Sequence, residues 1–224
     1  MNWLLPPGAS TFAAEIDWLY YVILWVTGIA FVATEVALVW FLIRYRARPG
    51  VRARYYHGNT KAEVVWTSVT AIAVLVLGLM SAGGWDRIKG RDSVPPNAIP
   101  LMVHAKQFEW EITYPGPDLQ LGTSDDFTVR NQLHVPVDRA INATLTSEDA
   151  IHSFFVPAWR IKQDAFPGMR IQVWFQPTQT GQFEIACAEL CGLGHYRMKG
   201  SVTVHPEEEF DRWHRNGGQL ALGQ

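Results

Sequence analysis

The stretch from residue 64 to residue 85, VVWTSVTAIAVLVLGLMSAGGW, contains no charged side chain in 22 positions. A helix needs roughly 20 apolar residues to cross the hydrocarbon core of a bilayer. Within hydrocarbon a helix satisfies its own backbone hydrogen bonds, whereas other open conformations do not. The stretch therefore predicts a transmembrane helix over residues 64–85.

A second apolar stretch precedes it, from Trp18 to Ile43, and Glu35 is the only charged residue in its 26 positions. It predicts another transmembrane helix. A cleaved signal peptide is the alternative, which we disfavour because the apolar run is too long and no positively charged region precedes it. An ionised carboxylate is costly in hydrocarbon, so we expect Glu35 to face protein and to be paired or protonated.

The loop between these stretches, residues 44–63, carries six basic residues and a single acidic one, Glu63. Basic residues in short loops stay on the cytoplasmic side of a membrane. We therefore predict a cytoplasmic loop, an external N-terminal segment over residues 1–17, and an external location for the residues after 85. Both termini are expected on the periplasmic side of the cell (inner) membrane, or its equivalent.

The composition changes after the second stretch, since residues 1–90 carry 8 basic and 5 acidic residues and residues 91–224 carry 11 and 16. A proline-containing linker, 86–100, leads into short runs with strand character, which are Leu101–Ala105, Phe108–Thr113, Phe127–Arg130, Val137–Leu145, Arg170–Phe175, Gln182–Ala186 and Ser201–Val204. Short strands separated by Pro and Gly turns predict an all-β Greek-key sandwich or barrel over residues 101–206. Residues 207–224 are predicted to form a short surface helix or a frayed tail.

The overall composition excludes several classes of protein. An apolar content of 48% is too high for a disordered chain. A net charge of −2 without a basic face argues against binding to nucleic acid. Two cysteines cannot form a disulfide framework, and their separation of four residues makes them candidates for chemistry instead.

The candidate chemistry is concentrated in the cysteine loop, residues 187–198, which reads CAELCGLGHYRM. Thiolate and thioether ligands select copper, whereas imidazole suits several metals. Cys187 and Cys191 can each bridge two copper ions, which leaves one imidazole and one weaker ligand for each metal. His195 supplies one imidazole and Met198 a thioether. We assign the second imidazole to His152, which lies in the apolar segment IHSFFVP.

Two other interpretations of the loop are weaker. A structural disulfide between the cysteines would leave His195 and Met198 without a purpose, and a zinc site is disfavoured because methionine is a poor zinc ligand. The five remaining histidines have no motif around them and are predicted to be surface or loop residues, namely His57, His104, His134, His205 and His214.

These features resemble subunit II of the haem–copper cytochrome c oxidases. The resemblance is carried by the two-span anchor, WT at 66–67, HSFFVP at 152–157, KQDAFPG at 162–168, PTQTG at 177–181 and the cysteine loop. It implies a cupredoxin-like domain with a dinuclear CuA centre held by His152, Cys187, the backbone carbonyl of Glu189, Cys191, His195 and Met198. The Glu189 side chain would reach a Mg2+ at the interface with subunit I.

The resemblance also implies a role in a larger assembly. A c-type cytochrome would reduce the copper centre, and electrons would pass to the haems and CuB of subunit I, where O2 is reduced to water with proton translocation. Other oxidase subunits and the lipid membrane are the remaining partners. In this family a glutamate matching Glu63 lies at the mouth of a proton-uptake path into subunit I.

The sequence differs from the family pattern in the region that accepts electrons from the donor. Family members that use soluble cytochrome c have a tryptophan at the position of Phe108 and a tyrosine at that of Glu109, whereas Trp110 is retained. Arg130 and Thr113 stand where carboxylates are usual. Because a weaker negative face steers basic partners less, we hypothesise a membrane-tethered cytochrome donor or a cytochrome domain of a neighbouring respiratory complex. Neutral drift of the docking patch is the alternative.

The main competing function is a membrane-anchored copper chaperone, because C-x3-C with a distant histidine occurs in thioredoxin-like copper carriers. Such a carrier needs one anchor and an α/β pattern, whereas this sequence predicts two spans and a β-rich domain. A quinol oxidase subunit II has lost the copper ligands. Nitrous oxide reductase carries the same motif on a long soluble chain with a further domain.

Overall fold

The computed structural model describes residues 4–219 and divides into two compact units, one over residues 15–86 and the other formed by the residues before and after it. Helix α1 spans Ala13–Arg44 and helix α2 spans Thr60–Lys89. Both are long and apolar enough to cross a membrane, with mean hydropathies of 2.2 and 2.1 over their most apolar windows. No residue of those windows is buried within the chain, so both helix surfaces are available to lipid or to another protein.

Both helices extend beyond the apolar stretches that predicted them. Helix α1 begins five residues before Trp18, and α2 continues four residues beyond Trp85. At the start of α2, the Asn59 side chain accepts a hydrogen bond from the backbone N–H of Ala62 at 3.1 Å. Such a cap satisfies one of the unpaired N–H groups of a first turn, so this helix starts before the apolar stretch.

The second unit is a sandwich of two five-stranded sheets followed by a short helix, α3, at Glu207–Arg215. The strands are β1 Ile99–Lys106, β2 Glu109–Tyr114, β3 Phe127–Arg130, β4 Gln132–Pro136, β5 Ile141–Ser147, β6 His152–Val156, β7 Ile161–Ala165, β8 Ile171–Phe175, β9 Gly181–Cys187 and β10 Lys199–His205.

The two sheets have the strand orders β3-β2-β1-β5-β8 and β4-β10-β9-β6-β7. Alternate residues of the strands are buried, as in β1 and β5, where every second side chain points into the core. Val103 and Leu145 come from the first sheet, and Phe154 and Ile185 come from the second. Full burial of such a side chain contributes about 1.5–3 kcal/mol. The predicted all-β sandwich after a two-helix anchor is confirmed.

The strand predictions need two corrections. The predicted strand Val137–Leu145 is wrong over its first four residues, because β4 ends at Pro136 and Asp138 adopts a left-handed φ of 57°, which breaks the extended backbone before Ile141. Strands β4, β6 and β7 are additional to the seven predicted runs.

The residues before α1 form part of the sandwich unit. The backbone N–H of Ala9 donates to the carbonyl of Ala158 at 2.8 Å, and the Ser10 hydroxyl donates to the carbonyl of Trp159 at 2.7 Å. The Phe12 ring lies edge-on to Trp174 with centroids 4.6 Å apart. Ala9, Ser10 and Phe12 are all buried, so this segment packs as part of the β domain.

Helix α3 packs on the sandwich through Phe210 and Trp213, so this part of the predicted tail is an ordered surface helix. The indole of Trp213 stacks on the His134 ring with centroids 4.4 Å apart. The same indole lies 4.9 Å from the ring of Tyr114. Residues 220–224 of the predicted tail lie outside the described residues.

The prediction that His134 and His205 are surface or loop residues is wrong. They lie in β4 and β10, are 5% and 3% exposed, and bring Nδ1 and Nε2 within 2.8 Å of each other. Burial, followed by the neighbouring His205, lowers the pKa of His134 to about 4. The unfolded chain therefore binds a proton at His134 more readily than the folded chain does. The contribution of neutral His134 to the free energy of unfolding is consequently lost as the pH falls from about 6.5 through 4.

Candidate metal centre

Three neighbouring strands bring the candidate ligands to one end of the second sheet. His152 is the first residue of β6, Cys187 is the last residue of β9, and Met198 immediately precedes β10. Strand β9 lies between β6 and β10, and Cys187 pairs with Phe154 across the first of these ladders. The backbone N–H of Cys187 donates to the carbonyl of Met198 at 3.2 Å, which fixes the two ends of the cysteine loop against each other.

The sulfur and nitrogen donors of the site converge. The Sγ atoms of Cys187 and Cys191 are 3.8 Å apart. His152 Nδ1 lies 3.9 Å from Cys187 Sγ, and His195 Nδ1 lies 3.7 Å from Cys191 Sγ. The thioether sulfur of Met198 is 3.2 Å from His152 Nδ1 and 3.8 Å from Cys191 Sγ. Each cysteine therefore has a histidine at its side, and the thioether lies beside His152.

The backbone carbonyl of Glu189 completes the set, since its oxygen lies 3.2 Å from Cys187 Sγ. The Glu189 side chain is exposed, whereas His152, Cys191 and Met198 are buried. The structure thus brings together all six groups that the sequence pattern selected. Their role as metal ligands stays a prediction.

The spacing of the two sulfurs allows one metal ion to contact both of them. At 3.8 Å the sulfurs are well beyond the bond length of a disulfide, which is about 2.05 Å, and both thiols are free. Metal–thiolate bonds are about 2.3 Å long, so one ion can contact both sulfurs only if they are less than about 4.6 Å apart. The site meets that condition with soft donors, which are the class that copper prefers.

Without metal, the more deeply placed thiol is neutral. Burial, followed by the charge of Cys187, raises the pKa of the Cys191 thiol to about 12. Because a metal binds the thiolate, loading the site must displace this proton.

Comparison with known proteins identifies the family. The profile of the cytochrome c oxidase subunit II transmembrane domain matches residues 1–82, and that of the subunit II periplasmic domain matches residues 104–204. The chain belongs to the cytochrome c oxidase subunit II family. It is a membrane-anchored subunit of an oxidoreductase complex.

Individual relatives agree with this assignment. The chain is 31% identical to the alternative cytochrome c oxidase subunit 2 of Bradyrhizobium diazoefficiens, over 94% of this chain and 83% of the relative. It is 28% identical to cytochrome c oxidase subunit 2 of Thermostichus vulcanus, over 97% and 80%. Among solved structures, the periplasmic domain of cytochrome oxidase subunit II of Bradyrhizobium japonicum is 29% identical, with a TM-score of 0.49, over 55% of this chain and 96% of that one.

Two residues beside the candidate metal centre, Asp149 and Gln107, were not selected as site residues from the sequence. Asp149 places Oδ1 2.8 Å from His152 Nε2, and its Oδ2 accepts the backbone N–H of Gln107 at 2.8 Å. Partial burial alone would raise the pKa of Asp149, but the hydrogen bonds with His152 and Gln107 outweigh it and hold the pKa below its ordinary value. The i,i+3 spacing of Asp149 and His152 is the one sequence signal that could have indicated this contact.

The two aromatic residues predicted to accept electrons occupy different depths. Trp110 is fully buried, with its ring centroid 6.2 Å from that of His152, whereas Phe108 is half-buried. The Arg197 guanidinium lies 5.7 Å from the centre of the Phe108 ring. Phe108 is therefore the one of the pair that reaches the surface, and Trp110 is buried near a candidate ligand.

The charges beside Phe108 neutralise one another. Lys106 Nζ lies 3.0 Å from Glu109 and 2.8 Å from Glu111, and the Arg130 guanidinium lies 3.3 Å from Glu111 and 3.9 Å from Glu109. Hydrogen bonding to Glu111 raises the pKa of Lys106, and the same bond lowers the pKa of Glu111, so this pair is charged at neutral pH. Within this cluster the two cations match the two carboxylates, whereas Arg197 beside the Phe108 ring and Asp149 beside Gln107 lie outside it.

The two membrane-proximal glutamates lie on the helical unit. Glu63 is exposed in the first turn of α2, and Glu35 is exposed near the C-terminal third of α1. An acidic residue in a first turn is favoured by the helix dipole. Contact of Glu35 with another protein helix, and a role of Glu63 in proton uptake, stay predictions.

Proposed function

We propose that this subunit accepts electrons from a c-type cytochrome at a dinuclear CuA centre and delivers them to haem in subunit I, which reduces O2 to water with proton translocation. The observation that carries the proposal is the separation of 3.8 Å between two free cysteine sulfurs, with an imidazole nitrogen beside each one. A copper carrier of the thioredoxin-like class is disfavoured because the domain is an all-β sandwich behind two helices.

Each candidate ligand would have a distinct role. Cys187 and Cys191 would bridge both metals, and His152 with Met198 would complete one of them because their donor atoms are adjacent. His195 and the carbonyl of Glu189 would complete the other. The bound copper pair would supply reversible one-electron chemistry. The sandwich keeps the buried donors in place and excludes water from them.

Two independent features support the proposed membrane orientation. Residues 9–12 are hydrogen-bonded into the β domain, so the start of the chain and the domain share one side of the membrane, which requires an even number of crossings between them. The basic loop over residues 44–63 favours the cytoplasm. Together they support a periplasmic domain with both termini outside.

The charge-matched cluster near Phe108 supports a donor that does not depend on long-range attraction. Glu109 and Glu111 are compensated by Lys106 and Arg130, and Asp149 is engaged by His152 and by Gln107. A membrane-tethered cytochrome, or a cytochrome domain of a neighbouring respiratory complex, is held close without such steering. We therefore propose a donor of this kind.

Two carboxylates complete the proposal. The exposed Glu189 side chain would reach a Mg2+ at the interface with subunit I, while its backbone carbonyl faces the copper site. Glu63 would lie at the cytoplasmic mouth of a proton-uptake path into subunit I, because the basic loop favours the cytoplasmic side for the start of α2.

Copper analysis of the full-length chain purified in detergent is expected to give two copper ions per chain and a purple, mixed-valence spectrum. Cys191→Ser is expected to abolish that spectrum, because one bridging thiolate is lost. Met198→Leu should alter it, whereas the matched control Met169→Leu removes a thioether that is 53% exposed and outside the cysteine loop, and should not. One copper per chain, or a colourless Cu(I) protein that hands its metal on, would favour a copper carrier.

In the oxidase complex, reduction by a soluble basic cytochrome c is expected to slow only weakly as salt is raised, because the charges beside Phe108 cancel. Arg130→Glu should make the salt dependence steeper, since three carboxylates then surround Lys106. The control Arg215→Glu makes the same charge change on α3, near the far end of β2, and should have little effect. Stopped-flow reduction at several ionic strengths measures this. A steep salt dependence in the unmodified complex, with the soluble cytochrome as its best donor, would contradict the proposal.

Glu63→Gln is expected to slow proton uptake and turnover while leaving the copper spectrum unchanged, since the carboxylate lies in the helical unit and not in the β domain. The matched control Asp86→Asn removes an exposed carboxylate near the other end of α2. Oxygen consumption and proton uptake by the assembled oxidase measure both variants. Unaltered turnover in Glu63→Gln would remove the proposed role.

A further inference from the structure

The segment Gln107–Phe108 lies directly against the cysteine loop. The Gln107 side-chain amide donates a hydrogen bond to the backbone carbonyl of Cys191, and its backbone N–H donates to Asp149 Oδ2 at 2.8 Å. A single residue at the surface thus contacts the two parts of the chain that carry the candidate ligands.

Asp149, which accepts the backbone N–H of Gln107, also contacts a candidate ligand. Its other oxygen, Oδ1, lies 2.8 Å from His152 Nε2, while His152 Nδ1 points at Met198 and Cys187. A carboxylate that accepts the proton on one ring nitrogen fixes the imidazole and leaves the other nitrogen free to bind metal. Gln107 and His152 are therefore held by the same carboxylate.

The cysteine loop is shaped around this segment. Gly192 adopts a φ of +138°, and a Cβ placed there would lie 2.6 Å from the Gln107 amide nitrogen. A Cβ at Gly194 would lie 2.4 Å from the Phe108 ring. Any larger residue at Gly194 would push the ring away, so the pair of glycines permits this close approach of backbone and side chain.

We infer that Gln107 is a positioning residue that holds both halves of the metal site, acting on Cys191 through its side-chain amide and on His152 through Asp149. The inference rests on the proposed copper function. Ligands held by fixed hydrogen bonds keep their geometry, so loss of the amide should weaken metal binding and change the electronic environment of the bridging sulfur. The segment that carries Phe108 and the metal site would then behave as one rigid body.

The test replaces Gln107 by a side chain of similar length that cannot donate. In Gln107→Met the backbone N–H to Asp149 remains and only the amide bond to Cys191 is lost. We expect the copper dissociation constant of the full-length chain to rise about tenfold, with a shift in the mixed-valence absorption bands and the reduction potential. The metal-free chain should unfold at the same temperature as the unmodified one. The control Gln172→Met alters an exposed glutamine on β8.

A second variant tests the other branch. In the unmodified chain the two carboxylate oxygens of Asp149 contact Gln107 and His152 separately. Asp149→Asn leaves only one acceptor oxygen, so one of these two hydrogen bonds is lost. We expect weaker copper binding and an altered spectrum here too. If Gln107→Met keeps the affinity, spectrum and potential of the unmodified chain, Gln107 only fills space and the inference is overturned, even where Asp149→Asn weakens binding. If the unmodified chain forms no mixed-valence centre, the proposed function itself fails, which is a distinguishable result.

Discussion

The structure depends on keeping two cysteine sulfurs close together without letting them bond. Their separation of 3.8 Å is set by the backbone, because Cys187 ends β9 between two neighbouring strands and Cys191 lies in the loop that returns to β10. The N–H of Cys187 closes that loop onto the carbonyl of Met198. A β-sandwich can hold such a loop because β9 is hydrogen-bonded to a neighbouring strand on each side. The proposed donors would therefore need little rearrangement to bind a metal.

The surface near this site combines close contact with little charge. Phe108 covers the glycines of the cysteine loop, and the four charged side chains beside it form a neutral network. Under the proposed function, apolar contact at short range would determine how a partner docks, and long-range attraction would contribute less. A donor already held at the membrane would suit such a surface, which connects the altered residues of the docking patch to the kind of partner proposed.

The clustering of Cys187, Cys191, His195 and Met198 could be predicted because a loop of twelve residues contains all four, and the apolar segment around His152 indicated that it would join them. Their role as metal ligands stays a prediction. The membrane helices could be predicted because a charge-free run of 22 residues has few other uses. Strand β6 was missed because both of its faces are largely buried, so HSFFV shows no alternation. The contact between His134 and His205 could not be predicted from the sequence, because 71 residues separate them and only the parallel pairing of β4 with β10 brings them together. The contacts of Gln107 likewise depend on the folded loop.

The most direct test is electron paramagnetic resonance of the oxidised, copper-loaded chain. If the two cysteines bridge two metals, a single unpaired electron is shared, and the spectrum will show hyperfine splitting from both copper nuclei. Splitting from one nucleus only would contradict the account. The account would also be contradicted if the chain took up no copper and mass spectrometry showed Cys187 and Cys191 joined in a disulfide.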